Sequence, residues 1–211
     1  MSLVKQTENI ISETEYLEGE LISDIKHEYI DGVVYAMSGA SDNHNRIAKN
    51  ILYRLENDLI KKKSDCETYT SDMKVRIVKS NLSYFYPDVM VVCDKHDDDD
   101  PYYKHSPVLV VEVLSNSTRK YDLTTKKMYY FNIPSLKEYV VIEQDVCRID
   151  VFRKSDHWNS TSYLLGDEIN FESSGTVTSV EDIYRRVENK ELLEYLNNKE
   201  KKQRERKNND H

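Results

Sequence analysis

The sequence predicts an α/β fold, a mixed central β-sheet flanked by helices, and three observations carry that expectation. Two apolar runs, Y-F-Y-P-D-V-M-V-V (Tyr84 to Val92) and V-L-V-V-E-V-L (Val108 to Leu114), are rich in β-branched residues, as strands covered on both faces are. Segments with apolar residues every three or four positions lie around them, the longest following Ser41. An Asp31-Gly32 pair between two short β-rich runs marks a tight hairpin. With 211 residues the chain suits one domain, taken as residues 1–188, followed by a charged C-terminal helix or tail over 189–211.

In chain order, Thr7 to Glu18 carries Ile10, Ile11, Tyr16 and Leu17 at helical spacing. Ile25 to Ile30 and Val33 to Met37 form the hairpin, because Asp-Gly tolerates the two positive φ angles of a type I′ turn. Ser41 caps a helix striped by Ile47, Ile51, Leu55 and Leu59, and Lys61 to Lys63 end it where cations oppose the negative dipole end. Thr68 to Thr70, Met73 to Val78, Ser83 to Val92 and Val108 to Leu114 read as strands, with Asp94 to Asp100 as an acidic loop whose run Asp97 to Asp100 is mobile and solvated. Ser117 or Thr118 caps a helix through Phe131, which Pro134 prevents from running much further. Strands at Glu138 to Ile142 and Arg148 to Phe152, a weaker hairpin near Tyr163 to Phe171, and helices at Glu181 to Val187 and Glu191 to Arg206 complete the reading.

Composition narrows the function classes. Thirty Lys plus Arg against thirty-eight Asp plus Glu give a net charge of -8, which argues against a general nucleic-acid or membrane coat. Five glycines form no P-loop, dinucleotide fingerprint or nucleophile elbow. Cys66, Cys93 and Cys147 are widely spaced and odd in number, suggesting neither a disulfide framework nor a zinc site and favouring a reducing compartment. No apolar stretch is long enough to span a bilayer, so the expected location is cytoplasmic. The basic tail, Lys199 to His211, reads as a solvated helix end, and the aspartates 97–100 lack the spacing of a calcium loop.

The chemistry centres on two carboxylates. Glu112 interrupts the most apolar strand and Asp88 the second, where a lone buried charge costs several kcal/mol, on the order of the desolvation penalty, unless a cation or hydrogen bonds compensate it. Neighbouring strands would let them share a divalent ion such as Mg²⁺. Leu114 takes the position two residues after the glutamate, on the same face, but Lys126 lies on the next helix in line with Asp122 and Tyr130. His44 near a helix start, and Ser115, Asn116 and Thr118 before the next helix, suit either a phosphate or simple capping.

Glu28 to Ala40 (E-Y-I-D-G-V-V-Y-A-M-S-G-A), His44, Tyr86 to Cys93 (Y-P-D-V-M-V-V-C), Val110 to Thr118 (V-V-E-V-L-S-N-S-T), Asp122 to Lys126 (D-L-T-T-K), Tyr130 and Glu138 to Ile142 (E-Y-V-V-I) together resemble the Uma-type family of restriction-endonuclease-like proteins, placed in the PD-(D/E)xK nuclease superfamily. The resemblance runs from about Thr14 to Phe152. It implies a restriction-endonuclease-like fold and a Mg²⁺ or Mn²⁺ site held by Asp88, Glu112 and the Val113 carbonyl. Glu28 is implied as a supporting acid and Lys126 as the migrated replacement for the lysine absent at Leu114. His44, Ser115 and Tyr130 are the candidate substrate contacts. The expected activity is metal-dependent DNA hydrolysis with local DNA engagement and no membrane partner, and a homodimer would suit two-strand cutting. The alternative is a nuclease-like module that binds nucleic acid or protein without cutting; a two-carboxylate glycosidase ranks lower, with Trp158 the lone tryptophan.

Overall fold

The computed structural model describes residues 4–5, 10–78, 82–97, 100–116 and 118–209. Its centre is a six-stranded mixed sheet ordered β12-β11-β10-β9-β7-β4. These strands are β4 (Glu67–Thr70), β7 (Val89–Val92), β9 (Pro107–Leu114), β10 (Glu138–Glu143), β11 (Arg148–Arg153) and β12 (Ser160–Leu164). Only β9 and β10 pair in parallel within it. The second six-stranded sheet contains β1 (Val4–Lys5), β2 (His27–Ile30), β3 (Val33–Ala36), β5 (Lys74–Val78), β6 (Leu82–Phe85) and β8 (Tyr103–Lys104), ordered β1-β3-β2-β6-β5-β8. A ribbon of β13 (Glu168–Phe171) and β14 (Thr176–Ser179) stands apart.

All eight residues of β9 are buried, because each face of the central sheet is covered. Helix α2 (Asp42–Lys61) lays Ile47, Ile51, Leu55 and Leu59 against Leu109, Val111, Val113 and Val140. On the other face Val110, Leu114 and Val141 pack with Tyr130, from helix α3 (residues 119–130), and with Val75, Ile77 and Phe85 of the second sheet. Strand alternation therefore places Glu112 on the α3 side. Helix α1 (Glu13–Ile22) covers the far side of the second sheet, with Tyr16 stacked on Tyr29 at 4.9 Å.

Local chemistry explains the termini. Ser41 Oγ accepts the His44 N–H at the start of α2, and Lys61 and Lys62 stand at its end. Asp31 and Gly32 have φ of 51° and 86°, the positive values a two-residue hairpin requires. Helix α1 begins later than the apolar spacing implies, at Glu13, because Ser12 and Glu15 form a reciprocal capping box; the start of the expected helix, residues 7–9, lies outside the described residues.

Several expectations are corrected. Ser83 to Val92 is two strands in different sheets: Pro87 has no N–H for a ladder, and the chain crosses from β6 to β7 through Tyr86-Pro87-Asp88. Tyr163 to Phe171 is not a hairpin; Gly166, at φ 103°, redirects the chain so that β12 pairs with β11 and β13 with β14. The helix at Glu181 shortens to α4 (Val180–Ile183), whereas the last helix, α5 (Lys190–Asn209), is longer than its apolar spacing implies. Ser117 lies outside the described residues.

Cys66 and Cys93 are disulfide-bonded, with Cα atoms 4.0 Å apart. They flank β4 and β7, where Glu67 pairs with Val92, so cross-strand register joins residues that linear spacing separates. The cysteine argument for a reducing compartment falls with it. Cys147 is a buried free thiol, pushed up to about 12 by burial and by nearby Glu191, and is correspondingly unreactive. Among the described residues no helix is long and apolar enough to cross a membrane.

Asp97 is not solvated. It is buried, and its carboxylate accepts the His105 N–H at 2.7 Å and the Ser106 N–H at 2.6 Å, while its carbonyl accepts Lys104 Nζ at 2.9 Å. It ties the acidic loop to the entrance of β9; residues 98–99 lie outside the described set. Asp97→Ala leaves those N–H groups without their acceptor and is expected to lower stability by about 1–3 kcal/mol. A urea unfolding midpoint equal to that of the wild type would refute this anchoring role.

Candidate active site

Four separated segments converge at the C-terminal end of β9. Glu112 is held there by the central sheet, and Asp88 follows the Pro87 crossing, where its Oδ2 accepts the Val113 N–H at 2.7 Å. Glu28 arrives from β2 and Lys126 from α3. Lys126 Nζ lies 2.8 Å from Glu28 Oε1 and 2.9 Å from Glu112 Oε1. All four side chains are buried. With His44, Asp122, Thr118, Tyr121, Met37 and Val113 they line a pocket of about 20 Å³, room for a single water.

Helix α3 makes the convergence possible. Its middle turn, Asp122–Lys126, is a π-helix in which the Lys127 N–H bonds the Asp122 carbonyl five residues back. Such turns are rare and concentrate at functional sites. The Asp122 carbonyl also accepts the Tyr139 hydroxyl at 3.1 Å. Asp122 and Lys126 are both buried, so they are no exposed surface pair.

Electrostatics set the character of the pocket. Glu28, Asp88, Glu112 and Asp122 are four buried carboxylates around one buried lysine. Burial pushes Glu112 up to about 8, with Lys126 opposing the shift and Asp88 and Asp122 adding to it. Glu28 is raised by burial against the pull of Lys126, and Asp122 is raised by burial too. Burial disfavours the charged lysine, but Glu112 and Glu28 hold Lys126 protonated well above its ordinary range.

The surroundings show where each remaining candidate falls. His44 Nε2 is 3.1 Å from Asp88 Oδ2, so this ring reaches the site from α2. Ser115 Oγ lies 3.0 Å from Thr118 Oγ1 and accepts the Thr118 N–H; it organises the start of α3, and Thr118 is the residue of this turn that lines the pocket. Tyr130 as a substrate contact is a correction: it is fully buried and its hydroxyl donates to Glu112 Oε1 at 2.8 Å, so it orients the carboxylate. Sequence reasoning left Tyr121 and Tyr86 out and did not carry Asp122 into the site. The i, i+4 line of Asp122 with Lys126 was the available signal for Asp122; the two tyrosines had none.

Three buried polar atoms at the pocket, Glu28 Oε2, His44 Nδ1 and the Tyr121 hydroxyl, have no hydrogen-bond partner among the described residues. Carboxylate oxygens are the donors a hard divalent ion prefers, and the space admits one small occupant. Mg²⁺ is bound through one or two protein carboxylates, and Asp88 and Glu112 both line the pocket. No group of three His, Cys, Asp or Glu side chains among the described residues converges for metal binding.

The family model described as "Uma2: Putative restriction endonuclease" matches residues 13–180, most of the chain. The chain belongs to the Uma2 family. It is 38% identical to the uncharacterized protein slr1290 of Synechocystis sp. over 177 residues, covering 83% of this chain and 92% of that protein. The uncharacterized Synechocystis protein sll1609 is 35% identical over 176 residues, covering 82% and 97%. A crystal structure described as a putative nuclease from Anabaena variabilis superposes with a TM-score of 0.64 at 13% identity, covering 77% of this chain and 91% of that one. The Uma2 match spans every segment that reaches the pocket, from α1 to the start of α4, and the superposition bears out the restriction-endonuclease-like α/β fold.

Proposed function

We propose that this Uma2 protein is a Mg²⁺- or Mn²⁺-dependent endonuclease that hydrolyses DNA phosphodiester bonds. The observation that carries the reading is the meeting of Glu28, Asp88, Glu112 and Lys126 in one buried pocket. Asp88 and Glu112 would hold the ion, with the Val113 carbonyl beside them. When bound, such an ion makes its water a stronger nucleophile and offsets charge on the phosphate. Lys126 keeps its proton and presents fixed positive charge to the developing phosphorane oxygens. Glu28 Oε2 is available to accept a proton of the attacking water, and His44 holds Asp88 in place.

Incubation with supercoiled plasmid and with single-stranded circular DNA in Mg²⁺ or Mn²⁺ is expected to give cleavage products that EDTA abolishes. Asp88→Ala should cut at least about a hundredfold more slowly, the scale of removing one charge-stabilising group. A variant that cuts like wild type refutes the nuclease reading. The second reading, a module that binds DNA without cutting, draws on the absence of a three-ligand cluster among the described residues; it predicts plasmid retardation with no nicking in either metal.

A further inference from the structure

The pocket opens onto a much larger groove of about 620 Å³, which shares Met37, His44 and Asp88 with it. One wall is the exposed side of α2, with Asn45, Ala48, Lys49 and Leu52; the other is the Met37 to Ala40 loop with Ile25. The groove is within the size range of about 300–1,000 Å³ that holds small-molecule ligands. Ala48 and Leu52 are half-buried against the central core, Met37 is half-buried and Ile25 is exposed, so an apolar surface stands next to the pocket of acids and Lys126. Lys49 is exposed at its edge and makes no ion pair among the described residues.

The acids and Lys126 are recessed: Glu28, Asp88, Glu112 and Lys126 are each no more than 7% exposed. A B-form duplex carries its phosphates on a stiff convex surface with its bases stacked inside, so bringing such a phosphate to a pocket this recessed costs deformation of the duplex. An unpaired strand bends freely and turns its bases outward. We propose that the groove receives one unstacked nucleobase of single-stranded DNA, so that the adjacent phosphate drops to the pocket. The inference rests on the nuclease reading and names its substrate class. Met37, Ala48 and Leu52 meet the base faces, with the polarizable methionine sulfur suited to an aromatic ring, and Lys49 meets a flanking phosphate.

The test is equilibrium binding of the full chain, in Ca²⁺, to fluorescent oligothymidylate, to a blunt duplex of equal length and to a strand of abasic sites. Oligothymidylate is expected to bind about tenfold or more tightly than either, the scale of one base contact. Ala48→Trp fills the groove and should erase that preference. Asn45→Trp, at an exposed position of the same wall, does the same without burdening the core, and Lys49→Glu should weaken base-bearing and abasic strands alike. Duplex binding as tight as single-strand binding, or tryptophan variants that keep the preference, overturns the inference and leaves the nuclease reading standing. Failure to bind either DNA overturns the inference too, and if neither plasmid nor single-stranded circular DNA is cut the nuclease reading falls separately.

Discussion

Lys126→Met is expected to destabilise the protein by about 3–5 kcal/mol at pH 8, the scale of a buried ion pair stripped of one partner. Its Nζ lies 2.8 Å from Glu28 and 2.9 Å from Glu112, and all three groups are buried. The methionine nearly matches the stem in volume, so little of the loss is packing; it comes from two carboxylates left without a cation. The pH dependence separates these causes. Glu28 and Glu112 are already raised by burial, and removing the lysine raises them further. A folded-state pKa above the unfolded value keeps the protonated form favoured at low pH and makes stability fall as pH rises through the folded value. The loss should therefore be small near pH 5, where both acids can be neutral, and large at pH 8. Urea unfolding of wild type and variant at the two pH values measures this, and an equal loss at both would mean that packing, not charge, is what Lys126 supplies. Lys126→Arg should recover much of the stability at pH 8 but little cutting, because a planar fork does not occupy the place of a point ammonium.

Lys126 also shows how far the sequence was legible. Features set by near neighbours in the chain could be read directly: the Asp31-Gly32 turn, the Ile47 to Leu59 stripe and the eight buried residues of β9 all follow from local periodicity or backbone preference. The position of Glu112 inside that apolar run marked it as a carboxylate that needs compensation unless it emerges into solvent at a strand end. What failed depends on contacts distant in sequence. The chain leaves one sheet at Phe85 and enters another at Val89, which strand propensity cannot register because both halves favour strand. Asp97 lies among acids that look solvated, yet two N–H groups eight and nine residues later make it a buried anchor. Cys66 meets Cys93 through the register of β4 on β7. The π turn left no sign in spacing, although Asp122 and Lys126 were already on one line. The family resemblance supplied the role of Lys126, and the geometry shows that its amine reaches the two acids.

The metal-free protein should lose stability between about pH 4.5 and 8, and Glu112→Gln should remove a large part of that loss. Glu112 ionises at 4.5 when exposed but only near 8 in the folded chain. Between those values the folded state holds a proton that the unfolded state has released, so ∂ΔG/∂pH is negative and folding weakens as pH rises. For the shift from 4.5 to about 8 the loss approaches about 3–5 kcal/mol at 1.36 kcal/mol per unit. Glu28 and Asp122, also raised, add to the slope in the same direction, so the diagnostic quantity is the difference between wild type and variant. Glutamine keeps an oxygen to accept the Tyr130 hydroxyl but has no proton to lose in this range. Mg²⁺ should act in the opposite sense. In the proposed site it binds the ionised carboxylate, so its stabilisation of the wild type should grow as pH rises through 8 and be largely lost in Glu112→Gln. Thermal melts across pH 5 to 9, with and without Mg²⁺, read both effects. Parallel pH profiles for the two proteins would show that Glu112 is not the buried proton; a Mg²⁺ shift that survives in the variant would show that the ion binds elsewhere. The same titration predicts that DNA cutting rises with pH through 8, because the acid proposed to hold the metal is the one burial keeps protonated.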